Sequence, residues 1–142
     1  MSLFRLIYRS EDRLPAGSDH VAALAAIVEA ASHRNRHLGL SGALVHRPGR
    51  FLQVLEGPAP ALEEVFERIC RDARHAGIAL MEFAPVDQPC FAGWTMVLAD
   101  ARTAPGTVDS IDLALSGIAS DGGSDVLIAA IQHALRPDSR AA

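Results

Sequence analysis

Apolar and polar positions alternate from the start of the chain. In LFRLIYRS, Phe4, Leu6, Tyr8 and Ser10 fall on one face and Arg5, Ile7 and Arg9 on the other, the period of a strand. After a loop broken by Pro15 and Gly17, the period changes. Ser18 or Asp19 can cap a helix reaching about His37, with Gly39 as its stop. Val21, Leu24, Ala25, Val28 and Ala31 mark its apolar stripe, and Asn35 continues it. LSGALVH and RFLQVLEG then flank Arg47-Pro48-Gly49 as a hairpin. Pro60 suits the first turn of a second helix, whose inward stripe is Leu62, Val65, Phe66, Ile69 and Ala73. IALMEFAP reads as a fourth strand and WTMVLAD as a short fifth.

The order β-α-β-β-α-β-β predicts an α+β domain over residues 1–100, a ferredoxin-like split βαβ with both helices on one face of a mainly antiparallel sheet. In that topology the first and third strands are central neighbours. Tyr8 shares a face with Phe4 and Leu6, and Gln53 shares one with Phe51 and Leu55. By parity both point towards the helices, close to Asn35. Residues 101–142 carry two short apolar-periodic pieces, around 111–118 and 126–135, separated by SDGGSD. They are expected to form a helical extension covering the opposite face of the sheet, since an uncovered apolar face is a liability.

Length and composition narrow the class. A chain of 142 residues, 49% hydrophobic and with formal charge −4, fits one globular core. The acidic balance offers no basic stripe for nucleic acid. The apolar run VAALAAIV is too short to span a bilayer, and MSLFRLIYRS lacks the features of a signal peptide, so no membrane partner is expected. Cys70 and Cys90 stand apart without CxxC spacing, which points to a reduced cytoplasmic setting. His33 and His37 share a helix face but have no third ligand at a recognisable spacing, so no metal is expected. P-loop, GxGxxG and GxSxG motifs are absent.

Tyr8, Asn35 and Gln53 are then polar groups aimed into a core, and each needs a partner. Either they satisfy one another with water, or a flat polar ligand between the helices shares their hydrogen bonds. Arg74 and His75, beyond the second helix, suit an anionic tail or simply a solvated helix end.

Taken in order, RLIYRS, NRHLGLSGAL, RFLQVLEGP, RDARH and FAGWTM resemble the BLUF domain, a blue-light sensor that uses a flavin, over residues 3 to about 100. The loop from Glu11 to Ser18 and the segment DQPC before Phe91 depart from that pattern. The resemblance implies a non-covalently bound FAD, with FMN as the alternative. It assigns Tyr8 as the electron donor to the photoexcited flavin and Gln53 as the amide between the two. Asn35 would bond the polar ring edge, Ile69 would pack on the ring, and Asp72, Arg74 and His75 would line the ring and its ribityl-phosphate side. Trp94 and Met96 would report the light state on the last strand. The implied protein is a stand-alone photoreceptor and not an enzyme. It would signal to an unidentified downstream protein, with self-association through the apolar tail. A flavin-dependent redox enzyme and a photochemically silent interaction module are the rival readings.

Overall fold

A computed structural model describes residues 3–14, 18–47, 49–91, 95–100, 128, 129 and 131. The elements are β1 (Leu3–Asp12), α1 (Ser18–Leu38), β2 (Ser41–Arg47), β3 (Arg50–Pro58), α2 (Ala59–Cys70), β4 (His75–Val86) and β5 (Val97–Asp100). They follow the order read from the alternation. The strands form one sheet in the order β4-β1-β3-β2-β5, with β1 antiparallel to β3 and β4, β2 antiparallel to β3, and β5 parallel to β2. This is the ferredoxin-like α+β arrangement, with an added edge strand.

The helices pack on the face that carries Leu6, Tyr8, Leu44, Phe51 and Leu55. Leu24 and Ala31 of α1 join Leu62, Val65 and Ile69 of α2 in that core. Leu55, Leu62 and Val65 are fully buried, each stabilising the fold by about 1.5–3 kcal/mol. The opposite face is buried too: Ile7, Ala43 and Val54 are 0% exposed. Ile128 and Ile131, at 3% and 0%, are the buried residues described beyond β5, and both are helical. The rest of the tail expected at 101–142 lies outside the described residues.

Two details of the helices differ from the sequence reading. The inward face of α1 is rotated: Val21 is 52% exposed and Ala25 is exposed, while Leu24, Ile27, Val28, Ala31 and Asn35 face the sheet. Small alanines around the whole helix leave its stripe poorly marked. Ala73 is exposed because α2 ends at Cys70, where Arg71 leaves the helix, and Ala73 lies past that stop. β1, β3 and β4 run one to four residues further than their apolar cores, β2 is shifted by one residue from LSGALVH, and β5 starts only at Val97.

Two turns depend on glycine. Gly39, at φ 71°, ends α1, and the Leu40 N–H reaches back 2.8 Å to the Asn35 carbonyl, closing a Schellman-type stop. Gly49, at φ 82°, serves the β2–β3 hairpin. Past β4, the Cys90 and Phe91 N–H groups donate to Oε1 of buried Glu56 at 2.7 and 3.0 Å, tying that segment to β3. Among the described residues, no helix is long and apolar enough to cross a membrane.

Candidate functional site

The register of the two central strands builds the site. Tyr8 pairs directly with Gln53 across β1 and β3, and both side chains project towards the helices. Two register shifts interrupt the β1–β4 pairing, between Ile7 and Tyr8 and between Arg9 and Glu11. Such bulges increase local twist and re-aim side chains. The Tyr8 hydroxyl donates a hydrogen bond to Gln53 Oε1. Gln53 Nε2 lies 3.7 Å from Met96 Sδ, a weak contact that joins the amide to the residue preceding β5.

Asn35 is held by the end of its helix. Its carbonyl accepts the Schellman bond, and its side-chain Nδ2 donates to the Thr95 carbonyl at 2.6 Å. Asn35 is 0% exposed, and Gln53 and Tyr8 are each 4%. The three polar residues expected inside the core are therefore there. Two of them meet directly, and Gln53 and Asn35 both reach the Thr95–Met96 segment.

Between the helices and the sheet lies a cleft open on one side, around a cavity of about 70 Å³. Ile27, Ala30, Ala31 and Arg34 line it from α1, Tyr8, Leu44, Phe51 and Gln53 from the sheet, and Ile69, Asp72, Arg74 and His75 from the end of α2 onwards. The lining is apolar on its walls and polar at its back and rim. Among the described residues, buried Arg34 Nε has no hydrogen-bond partner, and Arg34 lines the cleft. The donor set suits a flat ring with carbonyl and nitrogen edges, and the apolar walls suit its faces. A flavin ring fits these residues.

At the rim, Arg74 Nε contacts both Asp72 carboxylate oxygens, at 2.9 and 3.0 Å, and a terminal nitrogen lies 2.5 Å from Oδ2. These bonds hold the Asp72 carboxyl below its ordinary range. His75 is committed on both sides. Its Nε2 faces the Ile69 carbonyl at 2.7 Å, which can only accept, so Nε2 carries a proton. In the neutral ring, Nδ1 then accepts from Ser10 Oγ at 2.8 Å. Its ring stands edge-on to Tyr8, with centroids 6.0 Å apart. His75 thus braces the cleft, with both nitrogens engaged by the protein.

Burial pushes the Tyr8 phenol above its ordinary value, so it stays protonated through the neutral range. Folding holds this proton more tightly than the unfolded chain does. Stability is therefore flat below the ordinary tyrosine value near 10 and falls as pH rises above it. Tyr8 is the single tyrosine of the chain, so tyrosinate absorbance reports on it alone. We expect it to rise only above the ordinary range, together with alkaline unfolding monitored by circular dichroism. A titration near pH 10 in the folded protein would show a solvated phenol instead.

Of the expected site residues, Tyr8, Gln53, Ile69, Asp72, Arg74 and His75 line the cleft. Asn35 and Met96 sit behind it through Thr95 and Gln53. Trp94 lies outside the described residues. Sequence reasoning missed Arg34 and the alanine wall, although Ile27, Ala30, Ala31 and Arg34 follow the i, i+3, i+4, i+7 spacing of one helix face. It also missed Ser10, whose partner His75 is 65 residues away.

The family model for BLUF, sensors of blue-light using FAD, matches residues 3–97. Over 77 residues the chain is 35% identical to the photoactivated adenylate cyclase subunit beta of Euglena longa, covering 54% of this chain and 9% of that protein. It is 34% identical over 102 residues to the blue light- and temperature-regulated antirepressor BluF of Escherichia coli K12, covering 70% of this chain and 24% of that one. The chain thus spans under a quarter of the length of either relative. Among solved structures, the dark state of BlrB, a BLUF protein, superimposes with a TM-score of 0.77 at 32% identity, covering 94% of this chain and 98% of that one.

Proposed function

The chain belongs to the BLUF family of flavin-using blue-light sensors, and from that premise we propose that Tyr8 and Gln53 form its light switch, with β5 and the tail as its output. The direct Tyr8–Gln53 hydrogen bond at the back of the cleft carries this reading. When bound, the flavin, FAD or FMN, supplies the blue absorption and an excited state that takes up one electron and later returns it. Arg34 and the back of the cleft would hold the polar ring edge, Ile27, Ala31 and Ile69 would pack on its faces, and Arg74 would meet the ribityl-phosphate side; these residues line the cleft.

Tyr8 gives up one electron together with its phenolic proton, and both return in the reverse step, so nothing is consumed. The proton leaves along the existing bond to Gln53 Oε1. Gln53 can then rotate or tautomerise and re-form its bonds with a different face. Glutamate in its place would bury a charge, and leucine would offer no hydrogen bond. A change at Gln53 Nε2 is felt at Met96 Sδ, 3.7 Å away, and Asn35 holds neighbouring Thr95 at 2.6 Å. Val97 follows, where β5 begins at the edge of the described sheet. A local change in bonding can thereby bias an edge strand and what lies beyond it.

In this reading the first hundred residues are the sensor, and residues 101–142 cover the other sheet face and meet an effector protein or a second copy of the chain. The burial of Ile7, Val54, Ile128 and Ile131 supports such a cover. The test is an absorption spectrum of the purified, flavin-loaded protein before and after blue light. We expect a reversible shift to the red that decays in darkness. A spectrum that blue light leaves unchanged, or bleaches without recovery, would overturn the proposal.

A further inference from the structure

Outside the cleft, the ends of three elements converge on one point. Asp12 closes β1, His20 lies in the first turn of α1, and His46 stands one residue from the end of β2. His20 Nε2 lies 2.6 Å and His46 Nε2 2.7 Å from the same oxygen, Asp12 Oδ2. The three prospective ligand atoms all lie within 4.8 Å of one another. His46 is 3% exposed, and the imidazole centroids are 4.8 Å apart. None of the three lines the cleft.

The geometry points to a binding site for a divalent transition-metal cation of the zinc type, held by Asp12 Oδ2, His20 Nε2 and His46 Nε2. Two imidazole nitrogens and one carboxylate oxygen are a donor set that zinc accepts, and a fourth position is left for water. Tetrahedral bonds of 2.0–2.2 Å place neighbouring donors about 3.3 Å apart. The two spacings to Asp12 Oδ2, 2.6 and 2.7 Å, would open by about 0.6–0.7 Å to admit the ion, with the two imidazole nitrogens, within 4.8 Å of each other, settling at the same separation. Magnesium and calcium, which prefer oxygen ligands, are poorly served by two imidazoles.

The ligands are already oriented. Asp12 Oδ1 accepts the Leu14 N–H at 2.7 Å, and the Asp12 N–H donates to the Gly49 carbonyl at 3.0 Å, so Oδ2 is the oxygen left to face the imidazoles. Imidazole N–H groups donating to Oδ2 account for the same contacts without metal. In that case Asp12, His20 and His46 only tie three elements together. The His33–His37 pair, exposed on α1 with centroids 4.7 Å apart, has no third ligand among the described residues.

The test uses the full flavin-loaded chain, stripped with chelator and titrated with Zn²⁺ by calorimetry, with thermal unfolding in parallel. We expect one equivalent to bind and the unfolding midpoint to rise by about 5 °C in excess Zn²⁺, with Mg²⁺ producing neither effect. Asp12→Asn keeps the shape of the side chain and should weaken binding by more than about tenfold, as should His46→Gln. The double variant His33→Ala/His37→Ala should bind like the parent. If the parent takes up no Zn²⁺, or if binding survives Asp12→Asn and disappears in His33→Ala/His37→Ala, the site is only a hydrogen-bonded clasp. Because calorimetry needs no light response, this result stands apart from that of the photocycle.

Discussion

Gln53→Leu is expected to leave the protein yellow and to abolish its reversible red shift. Gln53 is 4% exposed, and its backbone sits in the middle of β3, paired with Tyr8 on one side and Leu44 on the other. Leucine is of similar volume and keeps the ladder, so the sheet and cleft should survive. Two contacts disappear: the acceptor for the Tyr8 hydroxyl and the Nε2 contact to Met96. A buried hydroxyl left without its acceptor costs about 1–3 kcal/mol. Part of this is offset by the apolar side chain that replaces the amide. A drop of a few degrees in unfolding midpoint is therefore expected, with flavin retained through Arg34, Ile69 and the rest of the cleft. Tyr8→Phe removes the same bond from the other end and should also block the response, while Gln53 keeps its contact with Met96. If Gln53→Leu kept the full shift, the Tyr8–Gln53 pair would not be the switch.

Much of this arrangement is visible in the residues themselves, for a definite reason. Strand side chains alternate with period two, so Tyr8 among Phe4 and Leu6, and Gln53 among Phe51 and Leu55, could each be assigned to a face. The βαββαββ order then made β1 and β3 neighbours, and the two side chains had to meet. The face of α1 was harder to read. Alanines at 22, 23, 25, 26, 30 and 31 blur its stripe, so Val21 and Ala25 read as inward although the helix turns them to solvent. Asn35 is nevertheless legible, because it lies seven positions after Val28 and four after Ala31, on the part of the stripe that does face the sheet.

What escaped the sequence are contacts between residues remote along the chain that no periodicity connects. His46 and Asp12 are 34 positions apart, and Ser10 and His75 are 65 apart. The histidines that attract attention by spacing, His33 and His37, are exposed on one helix. Those that converge sit on different elements. Arg34 escaped for another reason: an arginine beside a buried asparagine reads as surface. Only the folded chain shows that its Nε is buried and, among the described residues, without a partner.

Ala31→Phe is expected to give a folded but colourless protein. Ala31, 6% exposed, lies on the α1 wall of the cleft between Ile27 and Arg34, facing Ile69, Phe51 and Gln53 across the space. Its methyl group is what leaves that space open. A phenyl ring projecting from the same Cβ occupies the position proposed for the flavin ring and competes with it directly. Replacing alanine in a helix interior costs about 0.5 kcal/mol in propensity. Burying an aromatic ring against Ile27, Leu44 and Ile69 returns at least as much, in the range of about 1.5–3 kcal/mol. The flavin-free variant should therefore unfold at or above the midpoint of the flavin-free parent, with the same far-ultraviolet circular dichroism. Added flavin should raise the midpoint of the parent and not that of Ala31→Phe, since a ligand that binds only the native state stabilises only a chain that can bind it. This outcome is the converse of Gln53→Leu, which should stay coloured but silent. A yellow Ala31→Phe protein with full flavin content would place the chromophore elsewhere, and the roles given to Tyr8, Gln53 and Arg34 would fall with it.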